Sequence, residues 1–324
     1  MKRIGEWFSC LSQTIFQIQT YLLQPLMKKV NCGLPPFQPE KIIAHGHTTR
    51  LNRILWSTRY MEMPQVCVVL SGHTVDEMLK DAALAMAAGA DLVEVRLDNL
   101  WVREVEIEDS EDEAETKRRA RKEIEYEVLP LESVDLDDAL SSFKQGIELP
   151  VILTCRPERQ GGHYPGDEES RIEVLRTAIK SEVSWVDLEV DISIKERDSL
   201  MEIAKGKTQV IASHHSEEAP PPANEIISEI EDYVSYGDMV KICYPISGSE
   251  GALRIFEAAW ELRNSEIKAS LMGIGSGGDW VRIHAPLLNQ NFVYSTMQTG
   301  WHLSHSGRIN VSDLATAWKL LGYA

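Results

Sequence analysis

Eight short runs rich in β-branched and aliphatic residues alternate with helical segments, and this alternation limits the possible folds more than any other feature. The runs lie at 65–72, 91–98, 149–156, 184–192, 208–215, 238–244, 267–273 and 291–297. Between them, residues 74–90, 167–181 and 251–264 have helical character, and Thr74 and Gly89 are suited to begin and end the first of these helices. Eight strands alternating with helices over about 260 residues is the count of an α/β (β/α)8 barrel, the TIM barrel. A doubly wound sheet is the competing architecture.

Two parts of the chain depart from this alternation. Residues 1–62 have weak periodicity, and we interpret them as an N-terminal extension of a barrel domain at 63–324. The mildly amphipathic stretch 8–27 lacks the cleavage site of a signal peptide. We interpret it as a loosely docked extension or a mis-assigned start, and an organelle transit peptide is the alternative. A charged insert at about 103–127 follows the second run. Its acidic block precedes the basic sequence 116–122, so both can pair on a solvated helix or hairpin, with a regulatory or partner-binding role as the alternative.

The composition argues against several classes of protein. The formal net charge of -17 disfavours nucleic acid and anionic membrane surfaces as partners. The sequence has no run of about 18 apolar residues and therefore predicts no membrane-spanning helix. Its five cysteines are an odd number without the spacing of metal ligands, which is typical of reduced thiols in a cytoplasmic protein.

Charged residues occupy the carboxyl ends of the predicted strands, which is where barrel enzymes carry their chemistry. In the second run Glu94, Arg96 and Asp98 alternate with apolar residues, so a strand places all three on one face. Because an unpaired buried charge is costly, we expect Glu94 and Arg96 to pair with each other, with neighbouring strands or with a ligand.

The next three runs also end in polar residues. The third run ends at Arg156, and the fourth carries Asp187 and Glu189 at alternate positions. The fifth ends in two histidines, which alternation places on opposite faces, His214 on one and His215 on the other.

The sixth run, DMVKICY, places Lys241 in the middle of a short apolar strand, where lysine is rare. If Lys241 faces inward, we expect desolvation to lower its pKa. A neutral amine adds to a carbonyl and forms a Schiff base, so Lys241 is the candidate nucleophile. His215, one strand earlier, is the candidate for the proton shuttle that imine chemistry needs. The alternative is a structural lysine paired with Glu189 or Asp187.

After the seventh run, Gly273, Gly275 and Gly278 spell G-x-G-x-x-G, the glycine pattern of a dinucleotide-binding turn. That turn belongs in a first βαβ unit with an acidic residue at the end of the next strand, and the eighth run ends without one. We therefore interpret the glycines as part of a loop that brings Arg282 to a small anion, since loops after strands seven and eight commonly bind anions in barrels. The other arginines suited to hold a carboxylate or phosphate are Arg96, Arg156 and Arg308.

Taken in order, these short motifs resemble those of the type I 3-dehydroquinate dehydratases, which are Schiff-base lyases of the shikimate pathway with a (β/α)8 fold. The resemblance runs from about residue 65 to the C-terminus. It is carried by VEVRLD, TCRPERQGGHYPGDEESR, WVDLEV, VIASHH, DMVKI, the segment from Leu271 to Arg282, and SHSGRINVSDL.

The resemblance implies a role for each matching position. Lys241 corresponds to the Schiff-base lysine and His215 to the catalytic histidine. The implied substrate-binding residues are Glu94, Arg96, Arg156, Arg282, Ser304 and Arg308. It also implies dehydration of 3-dehydroquinate to 3-dehydroshikimate on the route to chorismate and the aromatic amino acids, without metal or organic cofactor. A cytoplasmic location and a homodimer are further expectations.

Two positions and the length of one loop depart from the family pattern. Gln160 stands where the family usually has Glu, Arg308 stands where the closing loop usually has Gln, and the loop between Met272 and Arg282 is slightly longer. These departures keep two alternatives open. One is a catalytically reduced homologue with a binding or regulatory role, and the other is a different Schiff-base lyase or aldolase on the same barrel.

Overall fold

The computed structural model describes residues 63–105, 125–300 and 302–324. The strands are β1 Gln65–Val69, β2 Leu92–Arg96, β3 Val102–Val105, β4 Glu125–Val128, β5 Val151–Thr154, β6 Trp185–Glu189, β7 Gln209–His215, β8 Met239–Pro245, β9 Ala269–Ile274 and β10 Phe292–Ser295. The helices are α1 Val75–Ala88, α2 Leu136–Gly146, α3 Glu168–Lys180, α4 Ile194–Ala204, α5 Ala223–Tyr233, α6 Ser249–Leu262, α7 Asp279–Ile283, α8 His302–His305 and α9 Val311–Leu321. The predicted extension at 1–62 and the charged blocks of the insert within 106–124 lie outside the described residues.

Eight strands form one parallel sheet in the order β10-β1-β2-β5-β6-β7-β8-β9. Six of the eight predicted runs contain one of these strands each, and β8 and β9 extend one residue beyond the other two runs. Consecutive strands of the sheet are neighbours throughout, whereas a doubly wound sheet reverses its strand order at a switch point. The prediction of a (β/α)8 barrel is therefore confirmed, and the doubly wound alternative is wrong.

Side chains help to join β9 to β10 and so close the barrel. The hydroxyl of Ser270 donates to the carbonyl oxygen of Phe292 at 3.0 Å and accepts from its amide at 2.9 Å. Next to it, the side chain of Asn291 accepts from the amide of Ala269 at 2.9 Å, and Gln290 accepts from the amide of Leu271 at 2.6 Å. Because an unpaired buried amide is costly, these three polar side chains are what permits the junction.

Alternation along the strands separates the barrel interior from the layer beneath the helices. On β8, Val240 and Ile242 are buried against the apolar faces of α5 and α6, and this parity sends Lys241 inward. The interior contains an apolar cluster, whose buried members are Cys67, Leu92, Ile152, Ile211, Met239, Cys243, Met272, Phe292 and Tyr294. Three of them, Cys243, Met272 and Tyr294, reach the cavity at the carboxyl ends of the strands, where polar side chains lie beside them.

Helix α1 begins and ends where its sequence predicts. Thr74 accepts a hydrogen bond from the amide of Glu77, and the Glu77 carboxylate accepts one from the amide of Thr74, which completes a capping box. Gly89 ends the helix with φ of 96°, a left-handed conformation that favours glycine.

The described ends of the insert pair as an antiparallel hairpin, β3 with β4, in which Glu104 lies opposite Tyr126. Arg103 and Glu127 form an exposed ion pair across it. This hairpin follows β2, where the charged insert was predicted. None of the helices in the described part of the chain is long and apolar enough to span a membrane.

Candidate active site

A cavity of about 560 Å³ opens at the carboxyl ends of the barrel strands. The predicted site residues that line it are Glu94, Arg96, Arg156, His215, Lys241, Arg282 and Arg308. Ser304 lies in α8, in the loop that also carries Arg308. Seven of the eight predicted residues therefore meet at one cavity. A larger cavity of about 720 Å³ lies outside the barrel, beside α1 and the β3–β4 hairpin, and contains neither Lys241 nor His215.

Lys241 lies at the centre of the polar layer and is 3% exposed. Its Nζ is 3.1 Å from Oδ2 of Asp187 and 3.5 Å from Oε1 of Glu94. The face of the Tyr294 ring lies on another side, with its centroid 4.2 Å from Nζ. The carboxylate partners of Lys241 are thus Asp187 and Glu94. The sequence offered Glu189 or Asp187 as the partner of a structural lysine, and of these only Asp187 is correct.

The expected lowering of the Lys241 pKa is wrong in sign. Burial lowers the pKa, but the negative charges of Asp187 and Glu94 favour the ammonium form and more than offset this effect. The pKa of Lys241 therefore stands above its ordinary value. Lys241 rests as an ammonium ion and must lose a proton before it can act as a nucleophile.

Two buried carboxylates on β6 are held by arginines. Arg156 places Nη2 3.0 Å from Asp187 and Nη1 2.8 Å from Glu189. The second oxygen of Glu189 accepts from Nη1 of Arg171 on α3, also at 2.8 Å. Ser213 donates to Asp187 and accepts from Arg156. Because buried charges are tolerated only when paired and hydrogen-bonded, this network is what fixes the position of Asp187 beside Lys241.

Of the three charged residues of the second predicted run, Arg96 and Asp98 pair with each other, and Glu94 pairs with residues of other strands. Glu94 accepts from the hydroxyl of Thr154 at 2.7 Å as well as from Lys241. Arg96 forms two hydrogen bonds with the buried carboxylate of Asp98, from Nε at 2.8 Å and from Nη2 at 2.6 Å. Asp98 also accepts from the backbone amide of Arg156 at 3.0 Å. Glu94 and Arg96 therefore pair with neighbours and not with each other.

The two histidines of β7 lie on opposite faces, as alternation predicts. His214 faces outward, with Nε2 3.4 Å from Glu229 on α5. His215 faces the cavity. Burial, together with the charges of Arg156 and Lys241, holds the pKa of His215 well below its ordinary value. His215 is consequently a neutral imidazole able to accept a proton.

Arg282 lies at the far side of the cavity and is bound by backbone oxygens. Its Nη1 donates to the carbonyls of Gly273, Gly278 and Gly307 at 2.8, 2.6 and 2.8 Å, and its Nε donates to Tyr294 at 3.0 Å. Within the described part of the chain, no carboxylate lies within 4.0 Å of its guanidinium nitrogens. A buried cation held by neutral carbonyls retains its full charge, which is suited to an anionic ligand.

The glycine pattern now has a structural account. A Cβ on Gly278 would lie 2.3 Å from the carbonyl oxygen of Gly273, and one on Gly275 would lie 2.0 Å from that of Ile246. Gly275 also has φ of 111°. The glycines allow the backbone to fold closely enough for several carbonyls to converge on Arg282.

Comparison with known proteins identifies the family of this chain. The model of the type I 3-dehydroquinase family matches residues 66–324. The chain belongs to the type I 3-dehydroquinase family. It is thus a member of a family of hydro-lyases.

Curated relatives of this chain include two 3-dehydroquinate dehydratases. The one from Methanopyrus kandleri is 27% identical over 79% of this chain and 100% of its own length. The one from Methanosarcina acetivorans is 25% identical over 76% of this chain and 92% of its own length. Among solved structures, the type I enzyme of Clostridium difficile has a TM-score of 0.63 at 19% identity, covering 80% of this chain and 92% of that one, which supports the barrel fold.

The family departures fall at the edge of the cavity. Gln160 and Arg308 both line it, and Arg308 is exposed. Oε1 of Gln160 and Nδ1 of His215 are buried without a hydrogen-bond partner among the described residues. In the described part of the chain, Gln160 and His215 therefore form no hydrogen bond through these atoms.

Sequence reasoning missed two aromatic residues of the 3-dehydroquinase cavity. Tyr294 shares the inward parity of Phe292 on β10, and this alternation could have identified it. Tyr126 reaches the cavity from the β3–β4 hairpin, where its ring lies 5.3 Å from that of His73 and 5.5 Å from that of His163. No sequence signal marks Tyr126, since its position depends on how the insert folds back.

The described residues contain no group of three or more His, Cys, Asp or Glu side chains that could hold a metal ion. The cationic groups at the cavity are instead the arginines and Lys241, which are suited to bind an anionic organic molecule.

Proposed function

We propose that this chain is an active 3-dehydroquinate dehydratase of the shikimate pathway, which dehydrates 3-dehydroquinate to 3-dehydroshikimate through a Schiff base on Lys241. The observation that carries the proposal is the position of Lys241. Its buried ammonium group lies in the wall of a cavity shared with a neutral histidine, His215, and with Arg282, a cation that has no carboxylate partner among the described residues. A lysine nucleophile, a base and an anion-binding group are the parts that a Schiff-base reaction of an anionic ketone needs.

The first stage of the proposed mechanism forms the imine. His215 takes a proton from the Lys241 ammonium group, and the free amine adds to the C3 ketone of the substrate. The carbinolamine then loses water with His215 as the proton donor, which leaves a cationic iminium. This cation occupies the place of the ammonium ion between Asp187 and Glu94, so the two carboxylates stabilise it without rearrangement.

The second stage removes the elements of water. His215 abstracts a proton from C2, and the electron pair of that bond moves into the iminium. When the electron pair returns, a double bond forms between C1 and C2, and the C1 hydroxyl leaves with the proton that His215 donates. Hydrolysis of the imine releases the product and regenerates Lys241. One water molecule is lost overall, and the proton on His215 is returned.

The arginines and Glu94 orient the substrate in this scheme. Arg282, assisted by Arg308, binds the substrate carboxylate, and Ser304 on α8 is a further substrate-binding residue in this proposal. Glu94 and Arg96 contact the ring hydroxyls. Arg156 borders the cavity, and its hydrogen bonds to Asp187 and Glu189 mean that it acts mainly through the carboxylates it holds. We further propose that the enzyme is cytoplasmic and forms a homodimer.

Trapping with borohydride tests the proposal. The protein is incubated with 3-dehydroquinate and borohydride, the adduct is mapped by mass spectrometry, and the enone product is followed by its absorbance. We expect a reduced adduct on Lys241 together with turnover. Binding without adduct or turnover would favour a catalytically reduced homologue with a binding role. An adduct formed only with other ketones or aldehydes would point to a different Schiff-base lyase or aldolase.

Two lysine variants sharpen this test. Lys241→Met should abolish both adduct and turnover, because its side chain has a similar length but no amine. Lys205→Met changes a lysine whose side chain is 78% exposed, and it should leave both unchanged. Turnover that survives in Lys241→Met would show that the nucleophile is a different residue.

A further inference from the structure

Tyr294 lies at a position in the barrel that the dehydration scheme leaves without a role. It belongs to β10, is 6% exposed and lines the same cavity as Lys241. The centroid of its ring is 4.2 Å from Nζ of Lys241. Its backbone carbonyl accepts a hydrogen bond from Nε of Arg282 at 3.0 Å. One residue therefore contacts both the candidate nucleophile and the candidate carboxylate-binding group.

We propose that Tyr294 is a positioning residue, whose ring face holds the Lys241 ammonium group and then the iminium formed from it, while its backbone sets the distance from this cation to Arg282. The inference rests on the proposed Schiff-base function and assigns a further residue to it. An aromatic ring attracts a cation through its quadrupole, and the attraction is strongest where water is excluded. Ammonium and iminium are both cations, so the ring stabilises the two states at the same place.

The ring carries this role and the hydroxyl does not. The Tyr294 hydroxyl is buried and has no hydrogen-bond partner among the residues described. Burial, reinforced by the negative charge of Glu94, raises the pKa of Tyr294 well above its ordinary value, so the ring remains neutral. The consequence is specific: phenylalanine should replace Tyr294 and an aliphatic residue should not.

Other groups around Lys241 set the background against which the ring acts. Asp187 and Glu94 attract the ammonium group, and Arg156 and His215 lie close enough to interact with it electrostatically. Cys243 and Cys67 are buried thiols whose pKa burial raises, so both are neutral. Since these groups stay in place when the ring is removed, the contribution of Tyr294 can be measured as a difference.

The experiment compares Tyr294→Phe with Tyr294→Leu. The rate of borohydride trapping on Lys241 is measured against pH, and the Lys241 side chain is titrated by NMR of its ¹³Cε without substrate. In Tyr294→Leu, loss of the cation–π contact should move the Lys241 titration downward by about 0.5 to 1 pH unit. We also expect kcat to fall about 3- to 10-fold while KM changes less than about twofold, since the backbone contact to Arg282 remains. Tyr294→Phe should behave like the wild type in every measurement.

A matched control and the contrary outcomes follow from the same design. Tyr236→Leu removes another cation–π pair, with the Arg197 guanidinium 3.9 Å from the ring centroid, and should leave the Lys241 titration unchanged. An unshifted titration in a folded Tyr294→Leu protein would overturn the proposal, as would a Tyr294→Phe variant equally impaired. Failure of the wild type to form an adduct would contradict the Schiff-base function instead, and the NMR titration would still report whether the ring holds the ammonium group.

Discussion

Asp187 on β6 and Lys241 on β8 form a buried ion pair inside the barrel, with Oδ2 and Nζ 3.1 Å apart. Lys241 therefore has a structural ion-pair partner and still lines the cavity. The pair also sets the resting state, because the carboxylate keeps the amine protonated until a substrate arrives. Asp187 therefore controls the protonation of Lys241 and, in the proposed mechanism, stabilises the iminium.

Replacing Asp187 by asparagine should lower the pKa of Lys241 and destabilise the fold. The variant removes one of the two negative charges beside Nζ and leaves Arg156 with Glu189 alone. Breaking a buried ion pair costs about 3–5 kcal/mol, so we expect a loss of that size in the free energy of unfolding, measured in urea. The Lys241 titration by ¹³Cε NMR should move to lower pH in the same variant.

Asp191→Asn is the matched control for Asp187→Asn. Asp191 pairs with Arg159 on the surface, with a shortest distance of 2.8 Å, and its side chain is 41% exposed. Exposed pairs contribute about 0–1 kcal/mol, so this variant should change the unfolding free energy by less than about 1 kcal/mol. Equal losses in the two variants would show that burial of the Asp187 pair has no special energetic consequence.

The pH dependence of stability should report the neutral state of His215. Its pKa is lowered in the folded state by burial, Arg156 and Lys241, whereas the unfolded chain has a histidine pKa of about 6.5. As the pH falls below about 6.5, the unfolded chain binds a proton that the folded protein does not, so stability falls by up to about 1.4 kcal/mol per pH unit. His215→Gln lacks this term and should lose less stability between pH 7 and pH 5.

Urea unfolding at several pH values measures this difference. The pKa values of His163 and His284 are also lowered by burial, but both residues are present in the wild type and in His215→Gln. The difference between the two proteins therefore isolates His215. Parallel stability curves from pH 8 to pH 5 would mean that His215 titrates in the folded protein as it does in the unfolded chain, which would contradict its lowered pKa.

The barrel and most of the cavity could be predicted from the sequence because both depend on local periodicity. Alternation on β8 sends Lys241 inward, and alternation on β7 separates His214 from His215. The same reasoning brings Glu94 and Arg156 to the carboxyl ends of their strands. Each of these inferences needs only the pattern of one strand and the rule that barrel strands end at one face.

The partners of these residues could not be predicted, because they depend on register and on side chains from distant strands. Glu189 was as plausible a partner for Lys241 as Asp187, but Arg156 and Arg171 occupy both of its oxygens. The sign of the Lys241 pKa shift followed from that choice, since desolvation alone would lower the pKa. The approach of Tyr294 is likewise a long-range contact that no single segment encodes.

Gly278→Ala should disturb Arg282 through a steric effect alone. Gly278 has φ of -65°, so the backbone accepts alanine, but the new Cβ would lie 2.3 Å from the carbonyl oxygen of Gly273. Overpacking of this kind costs about 1–3 kcal/mol. The carbonyls of Gly273 and Gly278, which the new Cβ would displace, both accept hydrogen bonds from the Arg282 guanidinium. Displacing Arg282 should weaken its charged hydrogen bonds to the substrate carboxylate. We therefore expect KM for 3-dehydroquinate to rise by about 10-fold or more.

Gly206→Ala provides the contrast in the glycine experiment. Gly206 has φ of 73°, and a Cβ there would meet nothing within 4 Å. Alanine should therefore cost about 1–2 kcal/mol of stability through backbone strain and leave KM unchanged. If Gly278→Ala keeps the wild-type KM while losing stability, the glycine loop supports the fold without positioning Arg282 for substrate.

Closure of the barrel should depend on one hydroxyl. Ser270 is fully buried, and its Oγ donates to the carbonyl of Phe292 and accepts from the amide of Phe292. Ser270→Ala leaves both backbone groups without this partner, at about 1–3 kcal/mol for each group. Urea unfolding should show the loss, and hydrogen exchange should show faster exchange at the amide of Phe292 than in the wild type.

Ser265→Ala separates the effect of closure from that of losing any serine. Ser265 also donates to a carbonyl, that of Leu262 at 2.7 Å, and accepts from the amide of Ile267 at 3.3 Å, but it lies in a half-buried turn. Water can replace its hydroxyl there, so we expect a loss below about 1 kcal/mol. The two serines make the same kinds of hydrogen bond, but Ser270 is buried and joins two strands, whereas Ser265 is half-buried and bonds within its own turn. Equal losses in the two variants, with unchanged exchange at Phe292, would show that the β9–β10 junction is held by Asn291 and Gln290 without help from Ser270.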